Sequence, residues 1–152
     1  MEPSGQHGRA ASAVCEHAVC HIDGAARGNP GPASFGVAFF DGAHPEEDPW
    51  LELSAAIGHA TNNTAEYQAL LAALSKALEL GIRSLTVRSD SQLLIRQMTG
   101  QYRVREPHLQ TLYDHAKRLE RCFARVRYEH VGREANKRAD KLANQALDVQ
   151  EK

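Results

Sequence analysis

A chain of 152 residues has the length of one domain, and a hydrophobic content of 42% is enough for a sizeable core. No apolar run is long enough to span a membrane and residues 1–17 lack the apolar stretch of a signal peptide, so we expect a cytoplasmic protein. The net charge of −1 gives no sign of a nucleic-acid binder, but Lys and Arg are concentrated in the C-terminal third, where they favour contact with phosphates.

The pattern of hydrophobic residues predicts the element order βββαβααβα. Residues 1–13 show no periodicity and are expected to form a mobile tail, before one domain at residues 14–148 and a short C-terminal tail at residues 149–152. The strands are predicted at residues 18–22, 34–40, 50–57, 84–89 and 126–131, and the helices at residues 65–80, 91–99, 107–121 and 136–147. Short connections make the first three strands an antiparallel meander. A strand–helix–strand crossover then places the fourth strand parallel to the first.

Four acidic residues stand where such a chain brings carboxylates together: Asp23, Glu66, Asp90 and Asp140. Asp23 ends the first strand and Asp90 follows the fourth, so parallel pairing sets them side by side. Clustered carboxylates repel one another unless divalent cations lie between them, and Mg²⁺ prefers oxygen ligands. Two such ions about 4 Å apart hold the attacking and leaving oxygens of a phosphodiester. The cluster therefore indicates a metal-dependent nuclease.

Three of these acids also fit a role at a helix end. Asp90 precedes an apolar periodic run, as an N-cap residue does. Glu66 lies three residues after Asn63, which is the spacing of a capping box. Asp140 lies in the first turn of the last predicted helix, where the helix dipole favours an acid. Asp23 has no helix to cap, and this favours metal binding for the set.

The segments around the four acids are Asp23-Gly-Ala-Ala-Arg-Gly-Asn-Pro-Gly-Pro, Thr61-Asn-Asn-Thr-Ala-Glu66, Asp90-Ser-Gln92 and Asn136-Lys-Arg-Ala-Asp140. Together they resemble the signature segments of type 1 ribonuclease H, from about residue 18 to residue 147. The resemblance implies an α/β fold of the ribonuclease H type, with a mixed five-stranded sheet and helices on both faces. Larger members carry a basic, tryptophan-rich insert after the second helix. Residues 100–106 connect directly to the third helix here, so the chain resembles the compact subgroup.

This resemblance implies an endonuclease that hydrolyses the RNA strand of RNA–DNA hybrids and leaves 5′-phosphate ends. In the family pattern, Asp23 bridges two Mg²⁺ ions and Asp140 holds the ion that activates water. Glu66 and Asp90 hold the ion beside the leaving oxygen. We expect Mn²⁺ to substitute for Mg²⁺, and we expect a monomer. A nuclease of the same fold that cuts duplex RNA or DNA junctions, and a silent hybrid-binding module, are the alternatives.

Polar residues that match the family's contacts to the hybrid are Asn29, Thr61, Asn62, Asn63 and Gln92. Asn and Gln both donate and accept hydrogen bonds, which suits recognition of a 2′-hydroxyl in the minor groove. Thr61 and Asn29 match the pocket for a phosphate of the DNA strand. Asn29 also fits a plain turn in Gly-Asn-Pro-Gly.

Two residues compete for the assisting role that many family members give to a histidine on the loop before the last acid. Counting back from Asp140 places His130 there, but His130 also reads as the end of a strand. Arg133 lies on the short loop that must reach the scissile phosphate, and we favour it. A histidine shuttles a proton near neutral pH, whereas an arginine stays charged and holds phosphate.

Overall fold

The computed structural model describes residues 17–151, so the tail predicted for residues 1–13 lies outside the described part. The elements in chain order are β1 (Ala18–Ala26), β2 (Gly31–Asp41), β3 (Leu51–Ala60), α1 (Asn62–Glu79), β4 (Ser84–Ser89), α2 (Gln92–Met98), α3 (Pro107–Glu120), β5 (Arg125–His130), a 3₁₀ turn (Arg133–Asn136) and α4 (Lys137–Glu151). The predicted order is confirmed. The last helix continues to Glu151, so residues 149–151 belong to it and not to the predicted C-terminal tail.

One mixed sheet of five strands has the order β3-β2-β1-β4-β5. The first three strands pair antiparallel, as their short connections require. β4 runs parallel to β1 and to β5, which confirms the predicted crossover. In the β1–β4 register Ile22 is opposite Ser89, so Asp23 within β1 and Asp90 just after β4 lie beside each other at the end of the β1–β4 pairing.

Helices cover both faces of this sheet. The core on one face includes fully buried side chains of α1 such as Tyr67, Leu70 and Leu74, and α3 packs on the outside of α1. The Tyr67 hydroxyl also donates to Oε1 of Gln97, 2.7 Å away, which ties α1 to α2. Each fully buried large apolar side chain contributes about 1.5–3 kcal/mol to folding, so α1 is firmly anchored to the central strands.

The other face carries α4, which uses small side chains to approach the sheet closely. Ala139 and Ala143 are fully buried, and a Cβ at Gly36 on β2 would collide with their backbone atoms. The hydroxyl of Ser34, also on β2, donates to the carbonyl oxygen of Ala143. Within residues 17–151, no helix has the length and apolar character needed to cross a membrane.

Candidate active site

Asp23 and Asp90 stand next to each other because the sheet places them there. Asp23 belongs to β1 and is only 5% exposed, while Asp90 follows the last residue of β4. The N-cap of α2 is Ser91, whose hydroxyl accepts the backbone N–H of Leu94 at 3.2 Å. The alternative role of Asp90 as an N-cap is therefore wrong, because the neighbouring serine already fills that position.

Glu66 reaches the same cluster from α1. Thr61 caps this helix by accepting the backbone N–H of Thr64 at 3.2 Å, so the capping box predicted from Asn63 and Glu66 is wrong. The close approach of α1 depends on Gly24, where a Cβ would collide with the backbone of Glu66. The nearby backbone N–H of Gly24 acts to lower the pKa of the Glu66 carboxyl, against a larger rise from burial.

The carboxylates of Asp23, Glu66 and Asp90 each offer an oxygen within 4.8 Å of the others. Burial first, and then the charges of Asp90 and Asp140, raise the pKa of Asp23 to about 8. Burial and the Asp23 charge raise the pKa of Glu66 well above its usual range, and its Oε1 is buried without a hydrogen-bond partner. Repulsion between these buried carboxylates costs free energy in the absence of a cation. A divalent cation between them would offset the repulsion, and carboxylate oxygens are the ligands that such an ion prefers.

Asp140 completes the set from α4. It is exposed and lies in the first turn of the helix, as the dipole argument expects, and its proximity helps to raise the pKa of Asp23. Asn144, one turn later, donates from Nδ2 to the Asp140 carbonyl oxygen at 2.9 Å and lies 3.3 Å from its Oδ1. Sequence reasoning missed Asn144, although its spacing of four residues places it on the same helix face as Asp140.

A cleft of about 490 Å³ surrounds the cluster. It is lined by Asp23, Gly24, Ala25, Ala26, Asn62, Asn63, Glu66, Asp90, Ser91, Arg133, Asp140 and Asn144. Of the two candidates for the assisting role, only Arg133 is on this wall. His130 is the exposed last residue of β5 and pairs with Ser89.

The predicted substrate contacts divide between the cleft and its surroundings. Asn62 and Asn63 line the cleft and are exposed, and Gln92 is exposed at the start of α2. Asn29 lies outside the cleft wall and uses its Oδ1 to accept the backbone N–H of Asn62 at 3.0 Å. Thr61, the cap of α1, lines a neighbouring cleft that also includes the two histidines His59 and His108.

Comparison with known proteins agrees with this geometry. Residues 21–146 match the family described as Reverse transcriptase-like. The chain is 36% identical to ribonuclease H of Halorhodospira halophila over 83% of its own length and 89% of that protein. It is 43% identical to ribonuclease HI of Halobacterium salinarum over 84% of its own length and 63% of that protein. The chain belongs to the type 1 ribonuclease H family.

A solved member of this family has the same architecture. The crystal structure of LC11-RNase H1, a protein isolated from compost, in complex with an RNA/DNA hybrid superposes with a TM-score of 0.83. The two proteins are 38% identical over 89% of this chain and 99% of the other. The chain spans between 35% and 63% of the length of the curated relatives that it matches at 43–44% identity. The superposition with LC11-RNase H1 confirms the predicted ribonuclease H fold in its compact form, without the insert.

Proposed function

We propose that this chain is an endonuclease that hydrolyses the RNA strand of RNA–DNA hybrids and leaves 5′-phosphate ends. The observation that carries the proposal is the group of three carboxylates within 4.8 Å of one another, set in a cleft beside two exposed asparagines. The hybrid-bound LC11 relative supports the choice of substrate. Because amides that recognise a 2′-hydroxyl have little use on a DNA duplex, the asparagines favour a substrate containing RNA.

The cluster fits two Mg²⁺ ions, which Asp23, Glu66, Asp90 and Asp140 would hold, and Mn²⁺ should substitute because it accepts the same oxygen ligands. The unpartnered Oε1 of Glu66 supports this fit, since a buried carboxylate oxygen otherwise loses its hydration without compensation. When bound, the ions supply an activated water and neutralise charge at the attacking and leaving oxygens.

The protein's own contribution is to hold groups in place around the scissile phosphate. Asp23 and Glu66 lie on β1 and α1, which are anchored in the core, so their carboxylates are preorganised. Arg133 on the cleft wall presents a planar guanidinium group that is suited to hold a phosphate oxygen of the RNA strand. Asp140, which is exposed on α4, is the carboxylate most easily displaced.

Residues at the start of α1 distinguish the RNA strand of the hybrid from the DNA strand. The side chains of Asn62 and Asn63 project at the cleft wall, where each is able to hydrogen-bond a ribose 2′-hydroxyl. Asn29 supports them by holding the Asn62 backbone, so we assign to it an indirect role at this edge. Gln92 offers a further amide on the exposed face of α2, two residues from Asp90. We assign contact with the DNA strand to Thr61, which lines a neighbouring cleft.

We further propose that the protein works in the cytoplasm as a monomer. Cys122 is exposed and unpaired, which is typical of a reducing compartment. Among the described residues the exposed large apolar side chains are Leu93, Tyr102 and Val149, whereas a stable interface takes about 20–30 residues from each partner. Sedimentation at micromolar concentration should give the mass of one chain.

The decisive experiment compares end-labelled RNA–DNA hybrid, single-stranded RNA, duplex RNA and duplex DNA, each with Mg²⁺ or Mn²⁺. We expect cleavage of the RNA strand of the hybrid only, with 5′-phosphate ends on the downstream fragments. Asp23→Asn is the control for contaminating nuclease. Preferential cutting of duplex RNA or of DNA junctions would identify a different substrate. Binding of hybrid without any cleavage would make the chain a silent binding module.

A further inference from the structure

Three of the four carboxylates are placed by the sheet and by α1, but Asp140 is not. It lies on α4, and it is the only exposed member of the set. The contacts with Ser34 and Gly36 hold α4 against β2 from Ala139 to Ala143. They do not tie the start of the helix to β1, where Asp140 must meet Asp23.

Asn136 makes the contact that answers this question. It closes the 3₁₀ turn that leads into α4, and it is fully buried although residues 133–135 of the same turn are exposed. Its Nδ2 donates to the backbone carbonyl oxygen of Ile22 at 2.8 Å. Ile22 directly precedes Asp23, and Asn136 lies about one helical turn before Asp140. One side-chain amide thus connects the backbone beside the first carboxylate to the segment that carries the last.

The Asn136 side chain interacts with two consecutive residues of β1. Its hydrogen bond to Ile22 is of a kind that contributes about 0.5–1.5 kcal/mol. Its interaction with His21 acts to raise the pKa of that imidazole, against the larger lowering that burial causes. Asn136 therefore meets β1 at the two residues that directly precede Asp23. The hydrogen bond from the Asn136 amide to Ile22 joins residues that are 114 positions apart in the sequence.

We propose that Asn136 is a positioning residue, which holds the start of α4 on β1 so that the Asp140 carboxylate stays beside Asp23. The inference rests on the proposed metal site, because its effect is on the carboxylate cluster. Asn136 does not touch the metal ions or the substrate. It acts through Asp140, and substitutions of the two residues should therefore not be additive.

The test is a double-mutant cycle read by Mn²⁺ binding in titration calorimetry, without substrate. Asn136→Ala should weaken Mn²⁺ binding about 10–100-fold, as loss of a residue that orients a metal ligand does. Asp140→Asn should weaken it at least as much. In the double variant, Asn136→Ala should add nothing to the effect of Asp140→Asn. Ser34→Ala is the matched control, since it removes a buried hydrogen bond to the middle of α4 and should leave Mn²⁺ affinity unchanged.

Urea unfolding in EDTA reports whether each variant is folded, and Asn136→Ser gives a second, smaller truncation. Any one of three results would overturn the proposal. These are additive effects in the double-mutant cycle, a loss of Mn²⁺ affinity in Ser34→Ala equal to that in Asn136→Ala, and failure of both Asn136 variants to fold. Hybrid cleavage by the wild-type chain separates the two claims. If the wild type cleaves hybrid but the cycle is additive, only the role of Asn136 is lost. If the wild type cleaves nothing but the cycle shows coupling, only the proposed function is lost.

Discussion

Replacement of Asp23 by asparagine should make the metal-free protein more stable while it abolishes cleavage. Burial and the neighbouring acids raise the pKa of Asp23 to about 8 in the folded protein. In the unfolded chain the value is about 3.9, so the rise is about four units, and each unit corresponds to about 1.4 kcal/mol. This conversion gives about 5–6 kcal/mol as the upper limit of the gain in the free energy of unfolding. Because the Glu66 carboxylate lies within 4.8 Å and its own pKa is also raised, the two groups titrate together, and we expect a gain of about 2–3 kcal/mol for the single substitution.

The sign of the pH dependence follows from proton binding. Between about pH 4 and about pH 8 the folded protein holds a proton on Asp23 that the unfolded chain has released, so stability falls as pH rises through this window. Wild type and Asp23→Asn should therefore be equally stable near pH 4 and differ most above pH 8. With an m-value of about 1–3 kcal/mol per M, a difference of about 2–3 kcal/mol amounts to about 0.7–3 M in the urea midpoint.

The assay is urea unfolding in EDTA at a series of pH values, with Asp114→Asn, an exposed acid on α3, as the matched control. The control should stay within about 0.5 kcal/mol of wild type at every pH. Saturating Mg²⁺ should restore wild-type stability at high pH and should help Asp23→Asn less, because ligand binding to the folded state stabilises by mass action. If wild type and Asp23→Asn lose stability in parallel as pH rises, or if Asp23→Asn still cleaves hybrid, the assignment of this carboxylate fails.

Three further predictions concern the substrate. Arg133→Ala should lower kcat several-fold because it removes a cation from the cleft wall, while His130→Ala should have little effect. The opposite ranking in steady-state kinetics would make His130 the assisting residue. The KM for hybrid should rise steeply between low and physiological salt, since phosphates neutralised by Lys and Arg release counterions, and a flat dependence would exclude the basic C-terminal third as the binding surface. Single 2′-deoxy substitutions in the RNA strand should lower kcat/KM less in Asn62→Ala than in wild type. The variant already lacks the hydrogen bond between the Asn62 side chain and the 2′-hydroxyl, so the deoxy substrate removes nothing further. Equal losses in both proteins would mean that other residues recognise the 2′-hydroxyl.

The order of the elements and the identity of the four acids were accessible from the sequence. Hydrophobic periodicity is local, so the strands and helices appear in it, and the crossover rule then places Asp90 beside Asp23 without knowledge of any side-chain contact. The β1–β4 register confirms that placement. The signature segments indicated the family for the same reason, because each is a short run whose residue types are readable one after another.

Other features were decided only by tertiary structure. Whether Asp90 or Ser91 caps α2 depends on a shift of one residue, which periodicity does not resolve, and the structure chose the serine. The raised pKa values of Asp23 and Glu66 come from burial and from charges that lie far apart in sequence. The bond from Asn136 to Ile22 joins segments separated by the whole domain, so no local pattern reports it. The sequence alone identifies the four carboxylates of this site. The distances between them and their loss of hydration depend on how the sheet, α1 and α4 pack together.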